Sequence, residues 1–365
     1  MQAPRWRFAR LAPVQLVLKL TETRPKMSLF RYAAALCLTL LLAGCGEPPM
    51  LGQKDPLFDR QKMTADFQPI ADRVAPGRLG VAVEDLSTGQ IISFNGETRF
   101  PLQGVFMAPL GAAVMAEVEA GRSKLDDTLL IQDVDLSPPP SAVADAWPGR
   151  NTYTVQELLE RAVGDGDNTA ADVLMKRIGG PGAVTAWLQG RKVEHVSIDR
   201  YERQLQPESL GLASFRAGWK GEAAYRAALD AVPVADRRRA TLAALADPRD
   251  TATPLGALRF LEALNQAELL GPDSRRLLGR ITSQSPSGPN RLRAALPDGA
   301  RLAHKTGTAR TDLGFTPAVN DIGVYTLKDG RKFAVVAFVS GSTLSLAEQE
   351  KAIADVGRVV IKAAK

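Results

Sequence analysis

Strand-like and helix-like segments are distributed unevenly along this chain, and their order constrains the fold most strongly. Mostly apolar segments typical of strands lie at 79–83, 91–94, 301–304, 322–325 and 333–339. Patterns typical of helices lie at 58–74, 105–121, 155–178, 254–267 and 344–364. This order predicts an α/β fold whose sheet joins amino- and carboxyl-terminal segments and carries an inserted all-helical lobe. A crevice between the two lobes is then the expected ligand site.

The amino-terminal region has the features of an export signal. An apolar run follows Arg31 and ends at Leu42-Ala43-Gly44-Cys45, which resembles a bacterial lipobox. The run is too short to span a bilayer as a helix. We predict a lipoprotein signal peptide at 1–44, with Met27 as an alternative start, lipid on Cys45, and a tether at 45–57. The alternative is an ordinary signal peptide with an incidental cysteine.

The charge argues against nucleic acid as a partner, and the cysteine content argues against an internal disulfide. The whole chain carries a formal net charge of +6, but residues 1–44 hold seven basic residues and one acidic residue. The remainder has 39 basic and 39 acidic residues, and this balanced charge does not indicate a nucleic-acid-binding surface. The two cysteines are Cys37, within the signal, and Cys45, so the mature chain is expected to lack an internal disulfide.

Four segments carry the strongest functional signals. They read RFPLQGVFMAPLGAAV at 99–114, TVQELLERAVGDGDNTAADVLM at 154–175, SIDRYERQL at 197–205 and NRLRAALPDGARLAHKTGT at 290–308. In this order and spacing, they resemble the class A β-lactamases, from about Asp66 to the end of the chain. The resemblance implies a β-lactamase/transpeptidase-like fold, with an antiparallel sheet flanked by helices over 58–365.

The chain departs from that family at the positions that carry the chemistry. In the family's S-x-x-K motif, Gly104 stands at the position of the nucleophilic serine and Met107 at that of the lysine. In its S-D-N motif, Gly166 stands at the position of the proton-relaying serine. Glycine and methionine supply neither an attacking hydroxyl nor a base. The sequence contains no S-x-x-K, and its two histidines, His195 and His304, have no metal-binding spacing. Serine-type catalysis is therefore not expected, and no metal or cofactor is predicted.

The residues that hold the substrate are retained. Lys305-Thr306-Gly307 matches the family's K-T-G, whose lysine and threonine bind the substrate carboxylate. By the same resemblance, Asn168 faces the amide of the ligand. The backbone N–H groups of Thr308 and Gly104 form an oxyanion hole, which needs no side chain.

Glu202 matches the family's deacylating glutamate in the omega-loop. Arg200 is expected to hold that loop through a carboxylate partner, and Asp167 is expected to be a buried structural residue. Gln206 stands where an asparagine commonly helps to hold the water.

Extra sequence follows the omega-loop at 207–247. It contains helix-like segments at 221–232 and 235–245, and three consecutive arginines at 237–239. It is either a surface elaboration or a lid or protein-docking surface beside the crevice.

Three functions fit these observations, in decreasing order. The first is a lipid-anchored, non-catalytic binder of an acyl-D-alanyl peptide of peptidoglycan, a β-lactam or an envelope partner. The second is a structural interaction protein with a vestigial crevice. The third is an active β-lactam hydrolase with a non-standard mechanism, perhaps using Glu202. In each case, we expect a cell-envelope protein held in the periplasm at the outer membrane.

Overall fold

The computed structural model describes residues 57–365. The predicted signal peptide, Cys45 and all but the last residue of the tether lie outside the described residues. Within 57–365, no helix is both long enough and apolar enough to cross a bilayer.

The described chain alternates short strands with helices. Its α-helices are α1 Arg60–Val74, α2 Met107–Glu119, α3 Ala142–Ala146, α4 Val155–Leu159, α5 Asn168–Arg177, α6 Pro181–Gln189, α7 Glu202–Glu208, α8 Glu222–Asp230, α9 Val234–Ala246, α10 Pro254–Asn265, α11 Pro272–Gln284 and α12 Leu346–Ala363. Its strands are β1 Arg78–Asp85, β2 Gln90–Phe94, β3 Phe100–Pro101, β4 Thr128–Leu130, β5 Thr152–Thr154, β6 Thr251–Ala252, β7 Arg301–Thr308, β8 Ala318–Thr326 and β9 Lys332–Ser340.

A five-stranded sheet joins the two ends of the described chain. Its order is β2-β1-β9-β8-β7, and every neighbouring pair is antiparallel. Strand β1 pairs with β9 along its whole length, with Val81 opposite Ala337. This arrangement confirms the predicted α/β fold, in which amino- and carboxyl-terminal strands form one antiparallel sheet.

The sheet separates two apolar cores because alternate side chains of its strands point to opposite faces. Val81 and Val83 pack with α1 and α12, whereas Ala82 packs with the helical lobe. Helix α2 is buried over most of its length, as expected for a helix in the centre of a lobe. Burial of each large aliphatic side chain contributes about 1.5–3 kcal/mol to the hydrophobic free energy.

The helix predicted at 155–178 is interrupted. Helix α4 continues as a π-helical turn over Glu160–Asp165 and ends at Gly166, whose φ is 81°. The chain restarts as α5 after Asp167, whose carboxylate accepts the N–H of Ala170. The prediction of one continuous helix is therefore wrong, because a left-handed glycine and a new N-cap separate two helices.

The insertion at 207–247 lies inside the loop that carries Glu202, and not after it as the sequence suggested. The Nε of Arg200 donates to Oδ2 of Asp250 at 2.6 Å, and the backbone N–H of Arg200 donates to Oδ1 at 3.0 Å. This pair closes the loop at its base. The residues between 200 and 250, which include α7, α8 and α9, therefore form one long loop that begins and ends at this pair.

Strand β1 contains a buried carboxyl group, that of Glu84, which is 1% exposed. Neither of its oxygens has a hydrogen-bond partner among the described residues. Burial, followed by the nearby Glu262 charge, raises the pKa of Glu84 to about 7. The folded protein therefore binds this proton more tightly than the unfolded chain does. As a result, stability decreases as pH rises from the unfolded pKa, 4.5, through about 7.

We expect Glu84→Gln to increase the free energy of unfolding by about 1–3 kcal/mol at pH 8, because it removes a buried negative charge. At pH 5 the carboxyl is neutral in the folded protein and only partly ionised in the unfolded chain, so the stabilisation should be no more than about 1 kcal/mol. Urea unfolding of both proteins at the two pH values measures the difference. An equal effect at pH 5 and pH 8 would contradict the assigned burial of an ionising group.

Candidate functional site

The sequence-predicted site residues converge where β7 faces the start of α2. A Cβ placed on Gly104 would lie 3.7 Å from the Nζ of Lys305, and one placed on Gly166 would lie 3.6 Å from the same atom. The lysine ammonium therefore occupies the centre of the crevice. The positions assigned by resemblance to the nucleophile and the proton relay lie on either side of it.

Lys305 is only 3% exposed. Its Nζ donates to the carbonyl oxygen of Thr306 at 3.0 Å. Within 57–365, no carboxylate oxygen lies close enough to form an ion pair with it. Burial lowers the pKa of Lys305 to about 8, although the charge of Asp321 partly opposes this shift. A buried ammonium with three donors and one protein acceptor is well suited to an incoming anion.

Gly307 lets β7 approach the turn that precedes α2. A Cβ at this position would lie 2.5 Å from the carbonyl oxygen of Leu102 and 3.0 Å from the amide nitrogen of Val105. A larger residue would push the strand away from Gly104, which sits in the 3₁₀ turn Gln103–Phe106. Gln103 has a φ of 48°, so the backbone just before the nucleophile position is in the left-handed region.

Thr306 begins a chain of hydroxyl groups that sequence reasoning missed. Its Oγ1 donates to Oγ of Ser287 at 3.0 Å, and Ser287 lies 2.8 Å from Oγ of Ser285. Ser285 donates to the carbonyl oxygen of Gly164 at 2.7 Å, so Ser287 must donate to Ser285. The hydroxyl proton of Thr306 is thus already used, and a ligand carboxylate would depend mainly on Lys305.

Arg291 braces the end of β7 from outside the crevice. Its Nη2 donates to Oγ1 of Thr308 at 2.6 Å, and its Nη1 donates to the carbonyl oxygens of Gly307 and Asn320 at 3.2 and 2.9 Å. Glu350 binds the Nε of Arg291 at 3.1 Å, so its charge is compensated. Arg291 lies in the 290–308 segment, but no role was predicted for it.

Met107 is the first residue of α2 and is 1% exposed. Its side chain belongs to the apolar core of the helical lobe. It fills space at the position that the resemblance assigns to a lysine, as a flexible thioether side chain does well.

Glu202 begins α7 and is 2% exposed. Its Oε2 accepts a hydrogen bond from Nε2 of Gln206 at 2.9 Å, and its backbone N–H donates to Oδ1 of Asp172 at 2.7 Å. Burial first, and then the charge of Asp172, raises the pKa of Glu202 to about 8; the Gln206 hydrogen bond and the Lys305 charge oppose that rise. The carboxyl is therefore largely neutral at pH 7, in line with the expectation from burial.

Asp167 and Asn168 hold the loop on the opposite wall of the crevice. The carboxylate of Asp167 accepts the Ser141 hydroxyl at 2.7 Å and the Val143 N–H at 2.9 Å. The Nδ2 of Asn168 donates to the carbonyl oxygen of Pro138 at 2.9 Å. One donor of Asn168 is thus occupied by the protein, and contact between its amide and a ligand stays a prediction.

The insertion contacts both walls of the crevice. Arg310, just beyond the K-T-G segment, forms a double hydrogen bond with Glu222 of α8 at 2.6 and 2.8 Å. The same guanidinium donates to the Pro139 carbonyl oxygen at 3.4 Å and lies over the ring of buried Tyr225 at 5.0 Å. Helix α8 is therefore held against the end of β7 beside the loop near Pro139.

We expect Glu222→Gln to loosen α8 and to raise its amide hydrogen-exchange rates by up to about fivefold. The carboxylate is 62% exposed, so its ion pair contributes no more than about 1 kcal/mol despite the good geometry. The matched control is Asp236→Asn, which removes the exposed ion pair with Arg239 on the adjacent α9. Exchange in α8 that responds equally to both variants would show that Glu222 has no special role there.

Comparisons with known proteins agree with this geometry. Residues 62–364 match the family described as the Beta-lactamase enzyme family. The VEB-1 β-lactamase of Pseudomonas aeruginosa is 27% identical over 77% of this chain and 84% of its own length. The L2 β-lactamase of Stenotrophomonas maltophilia is 28% identical over 90% of this chain and 93% of its own.

Solved structures give the same result. A β-lactamase from Chitinophaga pinensis superimposes with a TM-score of 0.68 at 29% identity, covering 83% of this chain and all of the other. An ancestral class A β-lactamase of Gram-negative bacteria superimposes with a TM-score of 0.67 at 32% identity, covering 82% of this chain and 99% of the other. The sheet topology, the matched segments and these relatives together establish that this chain belongs to the β-lactamase enzyme family.

Proposed function

We propose that this protein binds a β-lactam or an acyl-D-alanyl peptide of peptidoglycan in the crevice without hydrolysing it by the serine mechanism. One observation carries the proposal. The buried Lys305 ammonium, without a carboxylate partner among residues 57–365, faces two glycines at the positions where the family has serines. The site therefore retains the means to attract an anion and lacks the hydroxyl that would attack it.

Three features argue against the chemical steps. Gly104 offers only backbone atoms to a bound carbonyl, Met107 is buried in the core, and Glu202 has a pKa raised to about 8. A carboxyl that is mostly protonated at pH 7 is a poor general base for activating water. The carboxylate common to both ligand classes would meet Lys305, and the backbone near Gly104 and Thr308 would meet the carbonyl.

Two alternatives remain from the sequence. The relatives are named as β-lactamases, which favours residual hydrolysis of a β-lactam. Loss of the side chains at Gly104 and Gly166 favours an interaction protein with a vestigial crevice. The retained Lys305 charge favours the binding function over both alternatives.

We also propose that the protein is lipid-anchored at Cys45 in the periplasm, at the outer membrane. The support is the L-A-G-C segment that ends an apolar run. In this setting the crevice would meet peptidoglycan peptides. The insertion would serve as a lid or as a docking surface for an envelope protein. The balanced charge beyond residue 44 gives no reason to propose nucleic acid as a ligand.

The dependence of ligand affinity on pH tests the proposal. Glu202 ionises and Lys305 loses its proton as pH rises through about 8, and both changes disfavour an anionic ligand. Asp172, Asp250 and Gln206 are the other groups acting on Glu202. By calorimetry with benzylpenicillin, we expect affinity to fall about 100-fold between pH 7 and pH 9 in wild type.

Glu202→Gln removes one of the two ionisations, so its affinity should fall only about tenfold over the same range. Glu84→Gln is a matched control because it neutralises a different buried carboxyl, on β1. That control should keep the wild-type pH profile. Parallel profiles for wild type and Glu202→Gln would contradict the assigned role of Glu202.

A further inference from the structure

A second cavity lies between the sheet and the helices α10 and α11, and Lys305 of the crevice is among its lining residues. Its volume is about 400 Å³. Its walls are predominantly apolar and include Phe260, Leu264, Leu278, Ile322 and Val324. Ligand sites typically have volumes of about 300–1,000 Å³ and apolar linings with a few polar groups. This cavity therefore has the size and lining of a small-molecule site.

Besides Lys305, two cations border the cavity without a carboxylate partner within residues 57–365. The Nη1 of Arg275 donates to the backbone carbonyl of Asn265 at 3.3 Å, whereas its Nε is buried and has no hydrogen-bond partner. The Nζ of exposed Lys332 reaches the side-chain oxygen of the same Asn265 at 3.4 Å. A third cation at the border, Arg276, is paired with Asp273. Positive charge thus accumulates beside an apolar space.

We propose that this cavity binds an anionic amphiphile, specifically a medium-chain carboxylate. Its apolar body would lie between α11 and the sheet, and its carboxylate would lie between Arg275 and Lys332. A cavity of about 150 Å³ holds one benzene ring, so 400 Å³ accommodates about 12–16 non-hydrogen atoms. A chain of about ten carbons with a carboxylate has this size. Lys305 borders both the crevice and this cavity, whereas Arg275 and Lys332 have no role in the crevice, so variants of these two residues test the cavity separately from the proposed function.

Gly279 of α11 offers a way to fill the cavity. It lines the space, and a Cβ placed on it meets no other atom within 4 Å. Gly182 of α6 is a matched control, since a Cβ there also meets nothing within 4 Å and the residue is not part of the cavity lining.

Titration calorimetry with decanoate, below its micelle concentration, tests the proposal. Wild type and Gly182→Phe should bind one decanoate saturably and with equal affinity, whereas Gly279→Phe should show no saturable binding. The double variant Arg275→Ala/Lys332→Ala should bind at least tenfold more weakly, as should decanol to wild type, because each lacks the charge-assisted hydrogen bonds. If Gly279→Phe lacks a cooperative melting transition, Gly279→Leu replaces it.

Three results would overturn the proposal. These are no saturable binding of decanoate to wild type, unchanged binding to a folded Gly279 variant, and equal affinity for decanoate and decanol. The first two would show that decanoate does not bind in this cavity. The third would show that the positive border does not select an anion.

Discussion

Wild-type protein incubated with a fluorescent penicillin is expected to form no covalent adduct. A Cβ on Gly104 would lie 3.7 Å from the Nζ of Lys305, but glycine has no hydroxyl, and Met107 cannot accept a proton. Two other hydroxyls at the crevice, those of Thr306 and Ser287, belong to the chain of hydrogen bonds that ends at the Gly164 carbonyl. This chain of hydrogen bonds contains only hydroxyl groups and a backbone carbonyl, so it offers no base to activate a nucleophile. Gel fluorescence and intact mass measure the adduct directly.

The double variant Gly104→Ser/Met107→Lys is expected to gain measurable acylation, whereas each single variant should remain near background. A Cβ at Gly104 would lie 3.1 Å from the carbonyl oxygen of Thr306, so the serine requires a shift of a few tenths of an ångström. Gly166 is left unchanged, because its φ of 81° would strain a serine. Labelling of Gly104→Ser alone at the rate of the double variant would show that Met107 does not occupy the lysine position.

Labelling of wild type would contradict this account, whichever serine carried the adduct. Ser287→Ala then identifies the source, since Ser287 is the hydroxyl in contact with Thr306. Loss of label in that variant would assign the nucleophile to the hydroxyl chain and would promote the hydrolase alternative.

Removal of the Lys305 ammonium is expected to weaken binding of benzylpenicillin about ten- to a hundredfold. A charge-assisted hydrogen bond contributes about 1.5–3 kcal/mol, and Thr306 already donates its proton to Ser287. Lys305→Ala tests the loss, and Lys305→Met tests it while keeping the apolar stem and its packing. Lys332→Ala, on the same sheet but without a role in the crevice, is the matched control.

Salt should weaken wild-type binding moderately and should have little effect on Lys305→Met, because screening acts on the charge that the variant lacks. Equal affinities of wild type, Lys305→Ala and Lys305→Met would make the crevice vestigial and would favour the interaction-protein alternative. Loss of binding in Lys332→Ala would contradict the assignment of the charge contact to Lys305.

The sheet could be predicted from sequence because its strands are apolar segments separated by turns, as expected where both faces of a sheet are covered. The extent of β7 could not, since the strand was predicted only at 301–304 and runs to Thr308. Residues Lys305 to Gly307 join it by pairing with β8, from Ile322 to Asn320, which is a non-local interaction. Helix α11 was missed although Pro272 and Asp273 in its first turn were a usable signal.

Some residues of the site could be predicted from sequence, and others could not. Motif spacing brought Gly104, Gly166 and Lys305 together, as the structure does. The supports of these residues, such as Ser287, Arg291 and the Asp250 partner of Arg200, were not predicted, because each contacts a residue distant in the chain. Met107 replaces the family's lysine and so removes the usual cationic neighbour of Glu202; the motif alone therefore predicts that burial favours the protonated carboxyl, and the pKa of Glu202 is raised.

The most direct test of the central claim is a calorimetric titration of wild type with benzylpenicillin at pH 7, followed by chromatography and intact-mass analysis of the same sample. We predict saturable binding of one ligand per chain, recovery of intact benzylpenicillin and an unmodified protein mass. Recovery of ring-opened ligand at a rate above the buffer control, a covalent adduct, or the absence of a saturable binding heat would contradict the claim that this crevice binds without reacting.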